Sequence, residues 1–546
     1  MSALLQARDL SLSINGTSIL KSISFQLSAG ETLGLVGESG SGKSMTALSM
    51  IGLLPPGAAL SGSLMFDGED LLATPEAEFC RLRGRRISMA FQEPMTALNP
   101  VKNIGDQVAE VFQLHLALSK PQALEKAAAA LERVGLPPGQ FPLTRYPFEL
   151  SGGQRQRVVI AIAVALNPDL LIADEPTTAL DVTTEARILD LLQELCAEDN
   201  IALLFVSHDL AAVARLADTI AIMKDGEIVE SGPTSGLFDN LCHPYSIDLL
   251  KASTMTPRTD RVGSADTGEG RVVLEVKNVV RDYVLPRQGF FEKPGLFRAV
   301  DDVSFTLQSG RNLGLVGESG SGKSTLLRAL LALDAVQSGS VTIDGESFNP
   351  APKNMQAAAR RKIQAVFQDP FGSFNPRHQV ARIVAEPLHL LGRSISAKES
   401  DERVVRSLDS VGLSAGDKSK YPHQFSGGQR QRIAIARSLI VSPSIVVLDE
   451  ATSALDVSVR AQILELLDEL ARRHGVAFIF VSHDLDVVRS VTDYVLIMKA
   501  GRIVEQGVTQ HVFEAPQHPY TKSLIGAKLT LRQELERRRN QEEKRC

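Results

Sequence analysis

The stretch LGLVGESGSGKS fills residues 33–44, and the same twelve letters return at residues 313–324. Its first four residues form an apolar run of strand length, and a helical pattern follows from Met45 to Ile51. Between them Gly37, Glu38, Ser39, Gly40, Ser41, Gly42, Lys43 and Ser44 fit the pattern GxxxxGK[ST], as do Gly317, Glu318, Ser319, Gly320, Ser321, Gly322, Lys323 and Ser324. Glycines let backbone N–H groups close around phosphate oxygens, and the following helix presents its positive end. Lys43 and Lys323 are then expected to reach the β- and γ-phosphates of a nucleotide, and Ser44 and Ser324 to give an oxygen to Mg²⁺. The plain alternative is a glycine turn with an incidental lysine. Two identical copies, each between a strand and a helix, weigh against it.

Working outward, other segments repeat in the same order. SGGQRQR stands at residues 151–157 and 426–432, and FVSHDL at 205–210 and 480–485. The offset between copies is 280 for the glycine loop and 275 for the later pairs, so the chain holds two homologous domains in tandem. The expected division is a first domain over 1–250, a flexible Thr/Ser/Gly-rich linker over 251–271, a second domain over 272–530 and a charge-dense tail over 531–546. The tail is expected to be a solvated helix that frays. The second copy carries an insert near residues 285–298, read as a loop or hairpin with apolar tips.

Composition narrows the class. Hydrophobic residues at 44% and charged residues at 22% allow each domain an ordinary core. A net charge of −6 gives no bulk attraction to nucleic acid or anionic lipid. No run of about eighteen apolar residues marks a membrane span, and the first residues lack the pattern of a signal peptide. Cys80, Cys196, Cys242 and Cys546 lack metal-type spacing and are expected to be reduced and mostly buried. Short β-rich runs alternate with helical patterns in each copy, which indicates a mainly parallel sheet with helices on its faces. Ligand sites belong at the carboxyl ends of such strands.

The polar motifs fall at those ends. LLIADE ends a buried run in Asp174 and Glu175, and IVVLDE ends in Asp449 and Glu450. Adjacent acids repel unless a cation or substrate compensates. Asp174 and Asp449 are therefore assigned to Mg²⁺, and Glu175 and Glu450 to activation of the attacking water. Ser151, Gly152, Gly153 and Gln154 open a helix, as do Ser426, Gly427, Gly428 and Gln429, and each start is a second anion site. His208 and His483 follow the same strand in each copy, which favours a γ-phosphate contact over a buried structural histidine. Gln92 and Gln368 each precede an acid–proline turn, a weak signal alone.

The order glycine loop, glutamine loop, SGGQ, Asp-Glu and histidine, found twice over almost the whole chain, resembles the ABC-type ATPases. The resemblance implies two P-loop NTPase cassettes, each an α/β unit with a RecA-like core, an antiparallel β region and a helical subdomain. It implies ATP and Mg²⁺ as ligands, with Gln92 and Gln368 added to the metal shell. It implies head-to-tail pairing, so that Lys43, Ser44, Gln92, Asp174, Glu175 and His208 face Ser426 to Gln429, while Lys323, Ser324, Gln368, Asp449, Glu450 and His483 face Ser151 to Gln154. Asp181 and Asp456 match the loop that crosses that interface. The family often stacks an aromatic on adenine. Aligning residues 5–14 with 274–283 puts Tyr283 there in the second copy and Ile14 in the first.

A narrower resemblance joins FQEPMTALNP at 91–100, FQDPFGSFNPR at 367–377 and the endings His243-Pro244-Tyr245 and His518-Pro519-Tyr520 to the oligopeptide/dipeptide importer ATPases. The insert before AVDDVSF is typical of the second of two subunits in that group. The chain thus looks like both subunits fused, as in fused-ATPase importers for peptides, glutathione or the peptide antibiotic microcin C. The resemblance implies two transmembrane permeases as partners, an extracytoplasmic solute-binding protein beyond them, no nucleic acid, and a peripheral place on the cytoplasmic face of the bacterial plasma membrane. Two other classes compete. A ribosome-associated tandem ATPase usually carries a long charged helical linker, and a DNA-repair ATPase needs zinc-type cysteine clusters. Neither feature stands in the sequence.

Overall fold

The computed structural model describes residues 3–178, 180–253, 270–285, 295–348, 357–367, 369, 372–452, 455–528 and 530–543. The chain divides into two units: Met1–Thr254 together with Leu529–Cys546, and Met255–Lys528.

In the first unit a six-stranded sheet runs in the order Glu227–Pro233, Thr219–Lys224, Thr32–Val36, Ala202–Ser207, Leu170–Asp174, Ile87–Ala90. All neighbours are parallel except the antiparallel edge strand Glu227–Pro233. Thr32–Val36, Leu170–Asp174 and Ala202–Ser207 are buried along their whole length, which is why their sequences run apolar without alternation. A second, antiparallel sheet pairs Leu5–Ile14 with Thr17–Leu27 and Ala58–Phe66. Here one face is covered, and Leu5, Ala7, Leu10, Leu12, Leu20, Ile23 and Phe66 are among its buried residues. The register slips between Ala7 and Leu10, where Asp9 takes a positive φ of 49°. Helices Ile104–Leu116 and Lys120–Arg133 pack beside Gly152–Val164 to make the helical region.

The second unit repeats this plan. Its core sheet runs Ile363–Val366, Ile445–Asp449, Ala477–Val481, Asn312–Val316, Tyr494–Lys499, Arg502–Val508. The expected α/β class, with a RecA-like parallel core, an antiparallel β region and a helical part, is what each unit has. No helix among the described residues is long and apolar enough to cross a membrane.

Two expectations change. The helix Leu531–Glu543 does not stand in solvent: it lies with the first unit, where Leu531 is 7% exposed and joins the core. The thiols are not mostly buried, since of the three described only Cys196 is, and burial pushes it up to about 12. Around the insert, Val284 pairs with Leu296, so its ends extend the hairpin of Val272–Val284 and Leu296–Gln308, while 286–294 lie outside the described residues. So does most of the linker, at 254–269.

Candidate functional site

Each glycine loop leaves its strand and turns into a helix, Lys43–Met50 or Lys323–Leu330. Gly42 and Gly322 cap those helices at φ 104° and 105°, a conformation that L-residues rarely adopt. A Cβ on Gly37 would lie 2.3 Å from the Met223 carbonyl oxygen, and one on Gly317 2.2 Å from that of Met498. A Cβ on Gly40 or Gly320 would meet nothing within 4 Å, so the loop is open on that side. Lys43 is 5% exposed and its Nζ donates to the Gly37 and Glu38 carbonyl oxygens at 2.7 and 2.9 Å. Lys323 does the same to Gly317 and Glu318 at 2.6 and 2.9 Å. The buried Ser41 Oγ has no hydrogen-bond partner. A polyphosphate suits this loop, which carries a buried lysine ammonium and a buried hydroxyl beside glycines that leave room for phosphate oxygens.

Ser44 Oγ donates to Asp174 Oδ1 at 3.2 Å, so the structure brings together a hydroxyl and a carboxylate suited to Mg²⁺. Among the described residues no cluster of three His, Cys, Asp or Glu side chains could cage a metal.

Glu175 and Glu450 sit one residue past the strand tip at positive φ, 46° and 49°. Both backbones are anchored, Glu175 N–H to Val206 O at 2.8 Å and Glu450 N–H to Val481 O at 2.9 Å. Strained backbone held in both copies turns the glutamate toward the histidine. His208 Nδ1 lies 3.2 Å from Glu175 Oε1, and His483 Nδ1 lies 3.3 Å from Glu450 Oε1. Gln92 Nε2 donates to Glu175 Oε2 at 2.8 Å, and Thr178 Oγ1 donates to the same oxygen at 2.9 Å. Gln92 is thus turned to the glutamate. Gln368 lies outside the described residues.

The paired acids titrate in opposite directions. Burial pushes the Asp174 carboxyl up to about 6, with the Glu175 charge adding to it. Burial also acts to raise Glu175, yet the His208 hydrogen bond and charge, with Thr178 and Lys43, hold it below the ordinary carboxylate value. Burial raises Asp449, and the His483 hydrogen bond keeps Glu450 low. The histidine thus keeps Glu175 and Glu450 ionised beside a carboxyl that burial drives toward the neutral form.

Ser151 caps the helix Gly152–Val164, and Ser426 caps Gly427–Leu439. Each serine hydroxyl takes the N–H of the glutamine three residues on, at 3.3 and 3.4 Å, so one of the expected free donors is already used. The two glycines of each motif differ. A Cβ on Gly153 would fall 2.2 Å from Thr184 Cγ2, and one on Gly428 2.4 Å from Val459 Cγ1, whereas Gly152 has 3.5 Å to Leu180. The second glycine is thus fixed by packing against the next helix.

Tyr283 lies on the strand Val272–Val284, with the Arg281 guanidinium 4.5 Å from its ring centroid and its hydroxyl donating to Asp334 at 2.9 Å. Ile14 ends the matching strand. The residue before SGGQ is Leu150 in the first copy and Phe425 in the second, and both are buried.

Residue-type reasoning missed one pair. Tyr245 Oη accepts the Glu38 N–H at 3.0 Å, and Tyr520 Oη accepts the Glu318 N–H at 3.0 Å. The His-Pro-Tyr segments therefore brace the glycine loops. Each histidine takes its tyrosine's N–H on Nδ1, and Glu230 and Glu505 take the histidines' own N–H groups. The repeat of His-Pro-Tyr at the end of both copies was the available signal.

Comparison with known proteins follows the same division. Residues 20–178 and 300–453 match the family model described as ABC transporter. Residues 229–276 and 504–545 match that described as oligopeptide/dipeptide transporter, C-terminal region. The chain is 44% identical to the peptidoglycan transport ATP-binding protein YejF of Agrobacterium fabrum, over 96% of both chains. It is 44% identical to the uncharacterized ABC transporter ATP-binding protein YejF of Escherichia coli, over 93% of this chain and 95% of that one. It is 42% identical to the glutathione import ATP-binding protein GsiA of Salmonella typhimurium, over 96% and 90% respectively.

Proposed function

Because the chain belongs to the ABC transporter ATP-binding proteins of the oligopeptide/dipeptide type, we propose that it is the motor of an importer for peptides or peptide-like solutes. It is an ATP-hydrolysing enzyme. The solute class rests on the two His-Pro-Tyr regions and on relatives named for peptidoglycan transport and glutathione import.

Lys43 and the glycine-loop N–H groups hold the β- and γ-phosphates, and Ser44 and Asp174, with Gln92, are the residues that would hold Mg²⁺. In the second cassette the set is Lys323, Ser324, Asp449 and Gln368. Mg²⁺, when bound there, would supply positive charge that offsets the negative charge of the phosphates. Glu175 or Glu450, kept ionised, accepts a proton from water as its oxygen bonds to the γ-phosphorus and the bridging P–O bond breaks; ADP and phosphate leave. His208 and His483 orient that carboxylate and donate to the γ-phosphate. Ser426 to Gln429 complete the first site and Ser151 to Gln154 the second, with Asp181 and Asp456 in the linking loops.

We further propose that two permeases hold the chain at the cytoplasmic face of the plasma membrane and connect it to an extracytoplasmic solute-binding protein. Phe91, Met95, Val101 and Leu114 are exposed apolar residues near a cavity of about 470 Å³, which Phe91, Asn99, Leu114 and His115 help to line. Such a cluster suits a permease loop.

The observation that carries the hydrolytic reading is the Glu–His pair behind each glycine loop, at 3.2 and 3.3 Å. The test is the double variant Glu175→Gln, Glu450→Gln. It should keep ATP binding, lose nearly all turnover and accumulate an ATP-filled state. Unchanged ATPase activity would refute the assignment.

A further inference from the structure

The carboxyl-terminal helix Leu531–Glu543 makes contacts in the first unit that the first cassette's own sequence does not provide. Arg538 is the centre of them. Its side chain is 14% exposed. Nε donates to Ala214 O at 3.0 Å, Nη2 to Arg215 O at 3.2 Å, and Nη1 to Asp218 Oδ1 at 2.9 Å. Ala214 and Arg215 lie in the last turn of the helix Leu210–Leu216, whose carbonyls have no partner within the helix. A guanidinium is well suited there, since it satisfies orphan carbonyls and the negative helix end together. That helix begins directly after His208, capped by Asp209 through the N–H groups of Ala211 and Ala212. Asp218 faces the other way too: its Oδ2 accepts the N–H of Thr32, which opens the strand leading into the glycine loop. Leu531 and Leu535 anchor the helix in the core, and Glu534 lies 3.7 Å from Arg215.

The duplication supplies a control. In the second unit Asp493 stands where Asp218 does, and its Oδ2 likewise accepts the N–H of Asn312 at the start of the matching strand. There its other oxygen faces Arg311 of the same cassette, at 3.8 Å. The first cassette has Glu31 at that position, whose carboxylate instead takes Ser28 N–H and Thr219 Oγ1–H. The cation that the second cassette provides for itself is missing from the first, and Arg538 stands in its place.

We propose that Arg538 is a positioning residue for the first nucleotide site. It fixes the far end of the helix Leu210–Leu216 and the root of the strand Thr32–Val36, and so sets His208 against Glu175. This inference rests on the hydrolytic reading of Glu175 and His208 and adds a residue some 320 positions downstream in sequence.

The test uses the full chain with a photoreactive ATP analogue trapped by vanadate, followed by peptide mapping of label at the two glycine loops. Wild-type protein that traps nothing would speak against the hydrolytic reading itself, so the two failures are distinct. Arg538→Ala should lower trapping at the first loop by about fivefold or more and leave the second within twofold. Arg538→Lys should recover part of the loss, and Glu31→Arg in the Arg538→Ala background should recover more, by giving the first cassette the cation the second already has. A purely structural role for the tail would leave the loss at the first loop unrecovered by Glu31→Arg, which restores a cation beside Asp218 but no packing of the tail. Equal loss at both loops, no loss at the first, or no recovery in either rescue variant would overturn the proposal.

Discussion

Tyr245 Oη accepts the backbone N–H of Glu38 at 3.0 Å, across 207 residues of sequence. The loop residue next to Gly37 is thereby held by a side chain from the carboxyl end of its own cassette. The same bond joins Tyr520 to Glu318. A neutral hydrogen bond of this kind contributes about 1 kcal/mol. Tyr245→Phe removes the acceptor and keeps the ring, and should weaken nucleotide binding at the first loop about fivefold with little change in turnover at saturation. Fluorescent-nucleotide titration combined with ATPase kinetics checks this: a fall in kcat at unchanged affinity would place the tyrosine elsewhere in the cycle.

Asp174 makes ligand-free stability depend on pH. Burial disfavours the charge and pushes its folded carboxyl up to about 6, above the ordinary 3.8. The folded state therefore binds the proton more tightly than the unfolded chain. Stability is greatest below the unfolded value and falls as pH rises through about 6, by roughly 3 kcal/mol at full ionisation. Asp174→Asn should raise the ligand-free melting temperature at pH 7.5, leave it nearly unchanged at pH 4, and abolish hydrolysis at that site. Calorimetry at both pH values is the measurement, and an equal shift at both would show that the charge is not the cause.

The two glycines of each SGGQ motif should respond differently to one methyl group. Gly153→Ala places a Cβ 2.2 Å from Thr184, too close to accommodate without a shift. Overpacking of this sort costs about 1–3 kcal/mol. Gly152→Ala meets only Leu180 at 3.5 Å and should fold normally. Comparing melting temperatures separates packing from ligand contact: Gly153→Ala should lower it and Gly152→Ala should not. Equal values would mean the helix Val182–Asp199 yields more easily than its packing implies.

The adenine end of the two sites differs in residue type. Tyr283 offers a π-face where Ile14 offers none, and base stacking on an aromatic contributes about 1–3 kcal/mol. Nucleotide should therefore bind the Lys323 site roughly fivefold to a hundredfold more tightly than the Lys43 site. Lys43→Ala and Lys323→Ala each leave one loop intact for titration. Tighter binding is expected in Lys43→Ala, and Ile14→Tyr should strengthen binding in Lys323→Ala. Equal affinities with no gain from Ile14→Tyr would remove the distinction.

What the sequence made legible was what repetition and strand-end chemistry could carry. Lys43, Ser44, Asp174, Glu175 and His208 fall within short motifs whose spacing to a strand end fixes where they go, and the structure gathers them at one carboxyl edge. Glu175 at φ 46° was not readable, because nothing in LLIADE marks a left-handed glutamate. The role of Tyr245 was hidden because its partner is a backbone N–H, which carries no residue signature. The tail misled for a different reason: its dense charge masks Leu531 and Leu535, four residues apart on one helical face, and Arg538 finds its partners some 320 residues upstream. Gly153 looked like a phosphate donor beside Gly152, and only the Thr184 methyl distinguishes them.

The helix Leu531–Glu543 also changes what cutting the gene in half would mean. A fragment ending near residue 253 contains every motif of the first cassette, yet it leaves Leu531's place in the core bare and Ala214, Arg215 and Asp218 without their guanidinium. Such a fragment would be an incomplete domain with a complete set of signatures, and its inactivity would say nothing about the site it carries. A circularly permuted gene, in which codons 530–543 precede the first cassette, would restore the missing piece, so the smallest autonomous first domain is one that no contiguous stretch of the natural reading frame encodes.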